Sequence, residues 1–299
     1  MSTAFITGAS TGIGFAAATQ LARAGHDVIA TMRNPDRSPQ LQELAAKEGL
    51  PIEILALDVD SDASVAKAFA EAAKLKGEID ILVNNAGVAH PGATEDLDLD
   101  VFRQDMETNY FGALRCTKAV LTQMRERGSG CIINVTSILG QLSFAAHAPY
   151  CASKWALEAA TEALAQEVAS FNVRVAIVEP GVIATQIFNK VDDLSETPYA
   201  GQHRLLAFFA ASLTAVQVPA ELVGDKIVEI VESDAPALRH PVGPDAEPFF
   251  AWRDSMTDEE WIALAALDED EAWAVRIEEA SGLDVRPFLG KTSVGIVPS

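Results

Sequence analysis

The sequence predicts an α/β fold, a doubly wound parallel sheet of about seven strands with helices on both faces. One observation is that short apolar runs alternate with longer amphipathic segments over the first 180 residues. Buried parallel strands read as continuous apolar runs, and strand–helix alternation implies right-handed crossovers. A second is the length, since 299 residues suffice for one large α/β domain. A third is the globular composition, 49% hydrophobic and 22% charged.

The individual elements follow from these patterns. Seven apolar runs are expected to be strands, the last one closing the sheet: Thr3–Thr7, Asp27–Met32, Ile52–Leu57, Ile79–Asn84, Cys131–Thr136, Val173–Val178 and Leu238–Val242. The main helices expected between them are Gly12–Ala24, Ser61–Leu75, Phe102–Arg127 and Tyr150–Phe171. Ligands bind at the carboxyl ends of the strands in such sheets, so functional residues are expected there.

The C-terminal part of the chain is acidic. From Lys190 onward there are 8 Lys and Arg residues against 21 Asp and Glu residues. Pro244–Pro248 is expected to be a loop, and an acidic helical stretch is expected around Thr257–Ser281. Thr257 and Glu260 have the spacing of a capping box, which marks the start of a helix.

This change in composition suggests two parts. We expect a main domain over residues 1–245 and an acidic helical extension over residues 246–299. Trp252, Trp261 and Trp273 lie in the extension, and leaving three indoles in water would waste a large buriable area. The extension is therefore expected to pack on the main domain.

The charge and the cysteines exclude several classes of protein. The formal net charge is −21, whereas nucleic-acid binding needs a basic patch and anionic membranes repel a negative surface. The three cysteines cannot all pair and form no CxxC, which favours reduced thiols. No signal-peptide pattern opens the chain, and no apolar run reaches the length of a membrane span. We expect a cytoplasmic protein with no nucleic-acid or membrane partner and no metal site.

A glycine-rich segment, TGASTGIG, follows the first expected strand and opens the first helix. Glycines let the backbone turn tightly and approach a pyrophosphate, and the helix N-terminus offers free N–H groups and a positive dipole. The spacing is GxxxGxG rather than the commoner GxGxxG. In this strand–helix context the segment predicts dinucleotide binding; the alternative is a glycine-rich turn with no ligand.

A second segment, NNAG, follows the fourth expected strand at Asn84–Gly87. Asparagine side chains can tie backbone groups together where strands separate. The segment is either a floor beneath the adenine ribose or a plain Asn–Gly loop, and these residues alone favour neither.

Three residues indicate acid–base chemistry. Tyr150 and Lys154 lie four residues apart on an expected helix and so share a face, and Ser137 ends the fifth expected strand. A free tyrosine titrates near ~10, and lowering that pKa by about three units needs about 4 kcal/mol. We expect the ammonium, together with a positive nicotinamide ring, to lower the pKa of Tyr150. Ser137 is expected to polarise a substrate carbonyl.

These motifs together resemble the short-chain dehydrogenase/reductase family, of the compact single-domain type, over roughly residues 1–245. The resemblance rests on TGASTGIG, NNAG, Asn109, Ser137, the YCASK run of residues 150–154, and Pro180-Gly181 with Thr185. It implies a Rossmann-like fold and hydride transfer between a nicotinamide cofactor and a carbonyl or secondary alcohol.

The resemblance also implies roles for individual residues. Tyr150 would be the acid/base, and Lys154 would bind the nicotinamide ribose and tune the tyrosine. Ser137 would orient the substrate oxygen, and Asn109 would anchor a water that links Lys154 to solvent. The glycines would cradle the pyrophosphate and Asp58 would meet the adenine. Asn85 would lie beneath the ribose, and Val182 and Thr185 would hold the carboxamide. The residues expected at the cofactor are Gly8, Ser10, Thr11, Gly12, Ile13, Gly14, Arg33, Asp58, Val59, Asn85, Ala86, Gly87, Tyr150, Lys154, Pro180, Gly181, Val182 and Thr185.

The expected cofactor is NADP(H), with NAD(H) possible. Met32 and Arg33 stand at the end of the second expected strand, with no carboxylate before Asp36. NAD enzymes commonly place an acid there, whereas a guanidinium can bind a 2′-phosphate through two hydrogen bonds. Thr11 stands where some NADP enzymes of the family carry arginine, so a modest preference is expected. The alternative is that Arg33 is a solvated turn residue.

The substrate is expected to be a medium-sized apolar carbonyl compound. Its site would be lined from Val88–Pro91, Gly140–His147 and Ile183–Phe209, with apolar residues and three histidines as polar contacts: Leu142, Phe144, Ile187, Phe188, Leu205, Phe208, Phe209, His90, His147 and His203. The alternative is that these residues are the packing of a flexible lid.

A homodimer or homotetramer is expected from the resemblance and from apolar residues on the long helices: Leu114, Val120, Leu121, Trp155 and Leu164.

There are two alternative functions. One is a cofactor-binding regulator without turnover, against which the intact proton relay argues. The other is a sugar-nucleotide epimerase or dehydratase, which would carry GxxGxxG and a further domain.

Overall fold

A seven-stranded parallel sheet forms the centre of the protein, in a computed structural model that describes residues 2–188, 197–234 and 237–290. The strand order is β3-β2-β1-β4-β5-β6-β7, and every pair is parallel. The chain crosses from one edge of β1 to the other between β3 and β4, which creates the switch point where such sheets bind ligands. The strands are β1 Thr3–Ile6, β2 Asp27–Met32, β3 Ile52–Ala56, β4 Ile81–Asn84, β5 Gly130–Val135, β6 Val173–Pro180 and β7 Arg239–Val242.

Helices cover both faces of the sheet. One face packs against α1, α2 and α8 through residues such as Leu21, Leu41 and Ile227, and the other against α3, α5 and α6 through residues such as Val65 and Val120. The helices are α1 Gly12–Arg23, α2 Gln40–Glu48, α3 Asp62–Lys76, α4 Leu99–Met106, α5 Gly112–Arg127, α6 Ala148–Val168, α7 Gly201–Ala215, α8 Glu221–Glu232, α9 Ala246–Asp254, α10 Asp258–Ala265 and α11 Asp270–Ser281.

The predicted doubly wound α/β fold is confirmed, and each expected strand agrees with the structure to within about two residues. The single helix expected over Phe102–Arg127 is wrong, because a π-helical segment, Glu107–Phe111, separates α4 from α5. The loop expected at Pro244–Pro248 is also wrong. Helix α9 begins at Ala246, and Pro248 falls in its first turn, where a missing N–H costs nothing.

The acidic stretch expected around Thr257–Ser281 forms two helices, α10 and α11, rather than one. The capping box at its start is confirmed, because the Thr257 hydroxyl accepts from the Glu260 N–H and the Glu260 carboxylate accepts from the Thr257 N–H. Helix α2 was not predicted from the sequence; it is short, and only Leu41 and Ala45 of its nine residues are buried.

The C-terminal helices pack on α7 and on the segment that follows β5. Phe249 of α9 lies edge-on to Phe144 and Phe208, with ring centroids 6.0 and 5.3 Å away. The buried Arg204 of α7 donates to Asp270 at 2.8 Å and to the carbonyl of Leu267 at 2.8 Å, which fastens α7 to the start of α11. The division of the chain near residue 245 into two units stays a prediction.

The three cysteines are free and buried, and burial raises the pKa of the Cys151 thiol to about 11. A thiol with that pKa is a poor nucleophile at neutral pH. Within the described ranges, no helix has the length and apolar character needed to cross a membrane. The same residues contain no cluster of three His, Cys, Asp or Glu side chains arranged to hold a metal ion.

Candidate active site

The glycine-rich segment packs tightly against the loop after β4. Gly8 has φ +69°, and a Cβ there would lie 2.7 Å from Ala86 Cα. A Cβ on Gly14 would lie 2.3 Å from the Gly8 carbonyl oxygen and 2.4 Å from Asn85 Nδ2. Side chains are therefore excluded, and the backbone turns close to the N-terminus of α1, where free N–H groups favour an anion.

Asn85 and Thr7 fasten the two loops together. Asn85 Nδ2 donates to the carbonyl oxygens of Thr7 and Gly8 at 3.0 and 3.1 Å. The Thr7 hydroxyl accepts from the N–H groups of Asn85 and Ala86 at 2.9 and 3.0 Å. The NNAG segment therefore ties backbone groups together at the switch point. Asn85 also lines an open cleft above the strand ends.

An open cleft lies above the carboxyl ends of β1, β2, β4 and β5. It is open to solvent and is lined by both polar and apolar groups. The expected cofactor residues that line it are Gly8, Ser10, Thr11, Gly12, Ile13, Arg33, Asp58, Val59, Asn85, Ala86, Gly87, Tyr150, Lys154 and Thr185.

The rest of the expected cofactor set lies elsewhere. Gly14 stands behind Gly8. Pro180, Gly181 and Val182 line a neighbouring apolar cavity instead of the cleft. The Val182 N–H donates to Asp245 at 2.8 Å, so this N–H is not available to a carboxamide.

At the β2 end of the cleft, the exposed Arg33 lies near an acid that the sequence analysis missed. Asp60 lines the cleft and accepts from the Thr108 hydroxyl at 3.0 Å, and its other oxygen is buried with no hydrogen-bond partner in the part of the chain that the structure describes. Burial raises the pKa of Asp60 above its ordinary value, while the charge of Arg33 acts in the opposite direction. The loop after β3 brings Asp60 here, and a search confined to the end of β2 could not find it.

Ser137, Tyr150 and Lys154 meet where the cleft reaches its inner end. Ser137 follows β5, and its hydroxyl forms a hydrogen bond with Tyr150 and accepts from the Leu139 N–H at 3.1 Å. Lys154 Nζ lies 5.6 Å from the centroid of the Tyr150 ring and donates to the Val135 carbonyl at 2.9 Å. Helix α6 thus presents Tyr150 and Lys154 on one face, toward the end of β5.

The π-helical segment between α4 and α5 directs Asn109 toward the same place. Asn109 Nδ2 donates to the Val88 carbonyl at 2.9 Å and to the Ser153 hydroxyl at 2.8 Å, and its oxygen accepts from the Val88 N–H at 2.8 Å. Single-turn π-helices are frequent at functional sites. The sequence predicted one continuous helix here, so the π-helical segment was not anticipated.

Burial dominates the electrostatics of this group. It lowers the pKa of Lys154 to about 8. It also raises the pKa of Tyr150 above its ordinary value, and the hydrogen bond with Ser137 acts in the opposite direction. The expectation that the Lys154 ammonium lowers the pKa of Tyr150 is not met by the protein groups alone, because desolvation of the phenolate has the largest effect on that pKa.

An apolar cavity adjoins the cleft on the far side of Tyr150. The predicted substrate residues that line it are Phe144, His147, Ile187, Phe188, Phe208 and Phe209. Burial lowers the pKa of His147 to about 4, so this imidazole is neutral at pH 7. Residues 189–196 of the predicted lining segment lie outside the described residues.

Four predicted substrate contacts do not line this cavity. Leu142 is buried in the core beside it, and Leu205 faces a separate cavity beneath α10 and α11. His90 bonds to Asp105, and His203 bonds to Asp270 at the start of α11. The sequence placed these residues in the right segments but could not show which side of each segment faces the cavity.

Comparison with known proteins places the chain in a family. The short chain dehydrogenase family matches residues 2–195. The chain is 37% identical to the uncharacterized oxidoreductase YusZ of Bacillus subtilis over 87% of this chain and 96% of that protein. It is 35% identical to retinol dehydrogenase 8 of Bos taurus over 92% of this chain and 88% of that protein.

Solved structures agree. A short-chain dehydrogenase from Streptomyces avermitilis superposes with a TM-score of 0.76 at 33% identity, covering 89% of this chain and 98% of that one. A gluconate 5-dehydrogenase from Burkholderia cenocepacia, solved with NADP and tartrate, superposes with a TM-score of 0.69 at 26% identity. The match covers 82% of this chain and 95% of that one. The chain belongs to the short-chain dehydrogenase/reductase family of oxidoreductases.

Proposed function

We propose that this protein is an NADP(H)-dependent oxidoreductase that transfers a hydride between the nicotinamide and a carbonyl or secondary alcohol. The observation that carries the proposal is the position of Tyr150, which lines both the cleft and the apolar cavity. A proton donor at that junction can serve a substrate oxygen in the cavity while the cofactor occupies the cleft. Ser137 and Lys154 flank it, and Asn109 lies behind Lys154.

Each of these residues has a distinct task in the proposal. Tyr150 stays protonated at neutral pH because burial raises its pKa, so it is ready to donate to a carbonyl oxygen during reduction. Ser137 donates to the same oxygen and polarises the carbonyl. Lys154 carries a positive charge below about pH 8, which stabilises a phenolate once the proton has left. Asn109 and Ser153 hold the loop and the helix between which the proton returns.

The cleft fits a dinucleotide. Its glycines leave a cradle that a Cβ would fill, and the N-terminus of α1 would face the pyrophosphate. When bound, the cofactor supplies the hydride, and in its oxidised form a positive ring that favours the Tyr150 phenolate. Arg33 would meet the 2′-phosphate, although the nearby Asp60 limits the preference because it attracts the same guanidinium. The NADP complex of the similar gluconate 5-dehydrogenase supports this choice.

The substrate would be a medium-sized apolar carbonyl compound. The cavity beyond Tyr150 is lined mainly by aliphatic and aromatic side chains, among them Phe144, Phe208 and Phe209. A neutral His147 adds no charge to it. Similarity to retinol dehydrogenase 8 supports the same substrate class, because retinol is an apolar alcohol.

The direct test is turnover. Purified protein would be incubated with NADPH or NADH and a panel of aldehydes and ketones that range from polar to apolar, and cofactor absorbance would be followed. Reduction of apolar carbonyls with NADPH is the expected result, with polar hydroxy-ketones as poor substrates. Cofactor binding without turnover on any member of the panel would favour the regulator instead.

We further propose that the protein acts in the cytoplasm as a homodimer or homotetramer. Leu99, Phe111 and Trp155 are exposed by 66%, 45% and 49% on the neighbouring α4, π-helical and α6 segments. Val120 and Leu164, expected to be available for contact, instead pack against the sheet. Light scattering that finds only a species of about the chain mass, 31.8 kDa, at micromolar concentration would contradict the oligomer. Recovery of the native protein in a membrane or secreted fraction would contradict the location.

A further inference from the structure

A histidine–aspartate pair lies beside the proposed proton donor, and the mechanism above does not use it. His90 Nδ1 lies 2.5 Å from Asp105 Oδ1. The Asp105 side chain is 0% exposed, and its second oxygen is buried with no partner among the described residues. The His90 side chain is 34% exposed, so the pair connects a buried carboxyl group with solvent.

The pair is electrostatically connected to the site. The charge of Asp105 raises the pKa of Lys154 and also raises the pKa of Tyr150. On the other side, the charge of His90 contributes to the lowered pKa of His147. Asp105 lies one turn before Asn109, and His90 lies two residues after Val88, whose N–H and C=O both bond to Asn109. The pair and Asn109 therefore fasten the same loop to the same helical segment.

Space for a proton path lies between this loop and Lys154. A Cβ on Gly87 would lie 3.2 Å from Asn109 Oδ1 and 3.8 Å from Lys154 Nζ. The missing side chain thus leaves both polar groups bordering one small space, where an ordered water could bridge them. Lys154, Ser153 and Asn109 are all buried, so a proton that reaches the phenolate from the side of Lys154 must travel through groups of this kind.

We propose that His90 and Asp105 form the outer end of the proton relay that recharges Tyr150. This inference rests on the proposed reductase activity. In reduction, the carbonyl carbon receives a hydride with its two electrons and the carbonyl oxygen takes the Tyr150 proton. The phenolate then regains a proton through Lys154. His90 takes a proton from solvent at Nε2 and passes the Nδ1 proton to Asp105, which delivers it through the ordered water between Asn109 and Lys154 to the neutral Lys154 amine. In alcohol oxidation, the same steps run outward.

Chemical rescue distinguishes a relay from a structural fastener. His90→Ala should lower kcat at pH 7 roughly tenfold, less than the ~10²–10⁴-fold of a group that touches the reacting atom. Added imidazole, which fits the space vacated on a partly exposed side chain, should restore most of that loss. The rescue should vary with the pKa of a series of substituted imidazoles. Asp100→Asn, at an exposed acid on the same helix, is the matched control and should change nothing.

A second variant controls for loss of kcat through misfolding. Asp105→Asn can keep a hydrogen bond to His90 but cannot carry a proton, so it should retain the melting temperature and show a kcat loss similar to that of His90→Ala. Its loss should come with a larger solvent deuterium isotope effect. The relay would be overturned if His90→Ala kept full kcat. It would also be overturned if no imidazole restored the kcat lost in His90→Ala and Asp105→Asn had a normal kcat. Absence of turnover in the unmodified protein would instead overturn the proposed reductase activity itself.

Discussion

The two halves of the site are built in different ways. The cofactor cleft is formed by strand ends and short loops, and its fit depends on backbone: Gly8 and Gly14 have no room for a Cβ, and Asn85 fastens two loops. The substrate cavity is lined by side chains from α7 and from the segments after β5 and β6, and Phe249 of α9 packs behind two of them, Phe144 and Phe208. The first half is a feature of the sheet, whereas the second depends on helices at the end of the chain. Tyr150 belongs to both.

Removing the shared residue should separate binding from chemistry. Tyr150→Phe keeps the ring and removes the proton donor, so kcat should fall by about 10²-fold or more while NADPH affinity stays within about twofold. Fluorescence titration and initial rates measure the two quantities. Tyr199→Phe, at an exposed tyrosine bonded to Glu95, is the control. Near-normal kcat in Tyr150→Phe would show that another group donates the proton.

A change in the cleft alone should affect only cofactor binding. Arg33→Ala should weaken NADPH binding by about 10- to 100-fold and leave NADH nearly unchanged, because charge-assisted bonds to a phosphate contribute ~1.5–3 kcal/mol. Arg37→Ala, at an exposed arginine in the same loop that does not line the cleft, is the control. Equal losses for both cofactors would mean that Arg33 has no role in choosing between them.

A change behind the cavity wall should affect substrate binding and stability but not cofactor binding. Phe249→Ala removes a ring that is 3% exposed and contacts Phe144 and Phe208. Unfolding free energy should fall by about 3–5 kcal/mol. KM for an apolar ketone should rise several-fold with unchanged NADPH affinity. Ile262→Ala, at a residue of α10 that is 67% exposed, should alter neither quantity. Unchanged KM in a folded Phe249→Ala variant would show that α9 is irrelevant to substrate binding.

The smallest effect concerns pH. Burial lowers the pKa of Lys154 to about 8, so the ammonium is present below that pH and lost above it. Reduction should be about half-maximal near pH 8 and fall further above it. Stability should not fall with the rate. The unfolded chain keeps the Lys154 proton up to about pH 10.5, whereas the folded protein loses it near pH 8. Between these two pH values the contribution of Lys154 to stability therefore rises with pH. Parallel rate and melting-temperature profiles test this; rates that fall only where the protein unfolds would contradict it.

The same contrast explains what the sequence could predict. The strands are apolar runs, and the glycine cradle and Ser137 lie where such runs end. Tyr150 and Lys154 follow from their spacing of four residues on a helix. Asp60, the π-helical turn at Asn109 and the helix α9 were missed, because long-range packing or an inserted residue places them. Burial of Tyr150 likewise depends on surrounding elements, so the direction of its pKa shift required the structure.

Isotope transfer tests the central claim most directly, because it follows the hydride itself. NADPH carrying deuterium at either face of C4 would be incubated with the best apolar carbonyl of the panel, and the alcohol analysed by mass spectrometry. We expect one deuterium on the carbinol carbon from one labelled face and none from the other, with transfer abolished in Tyr150→Phe. An alcohol product without deuterium from either face, or label transfer unaffected in Tyr150→Phe, would contradict the account.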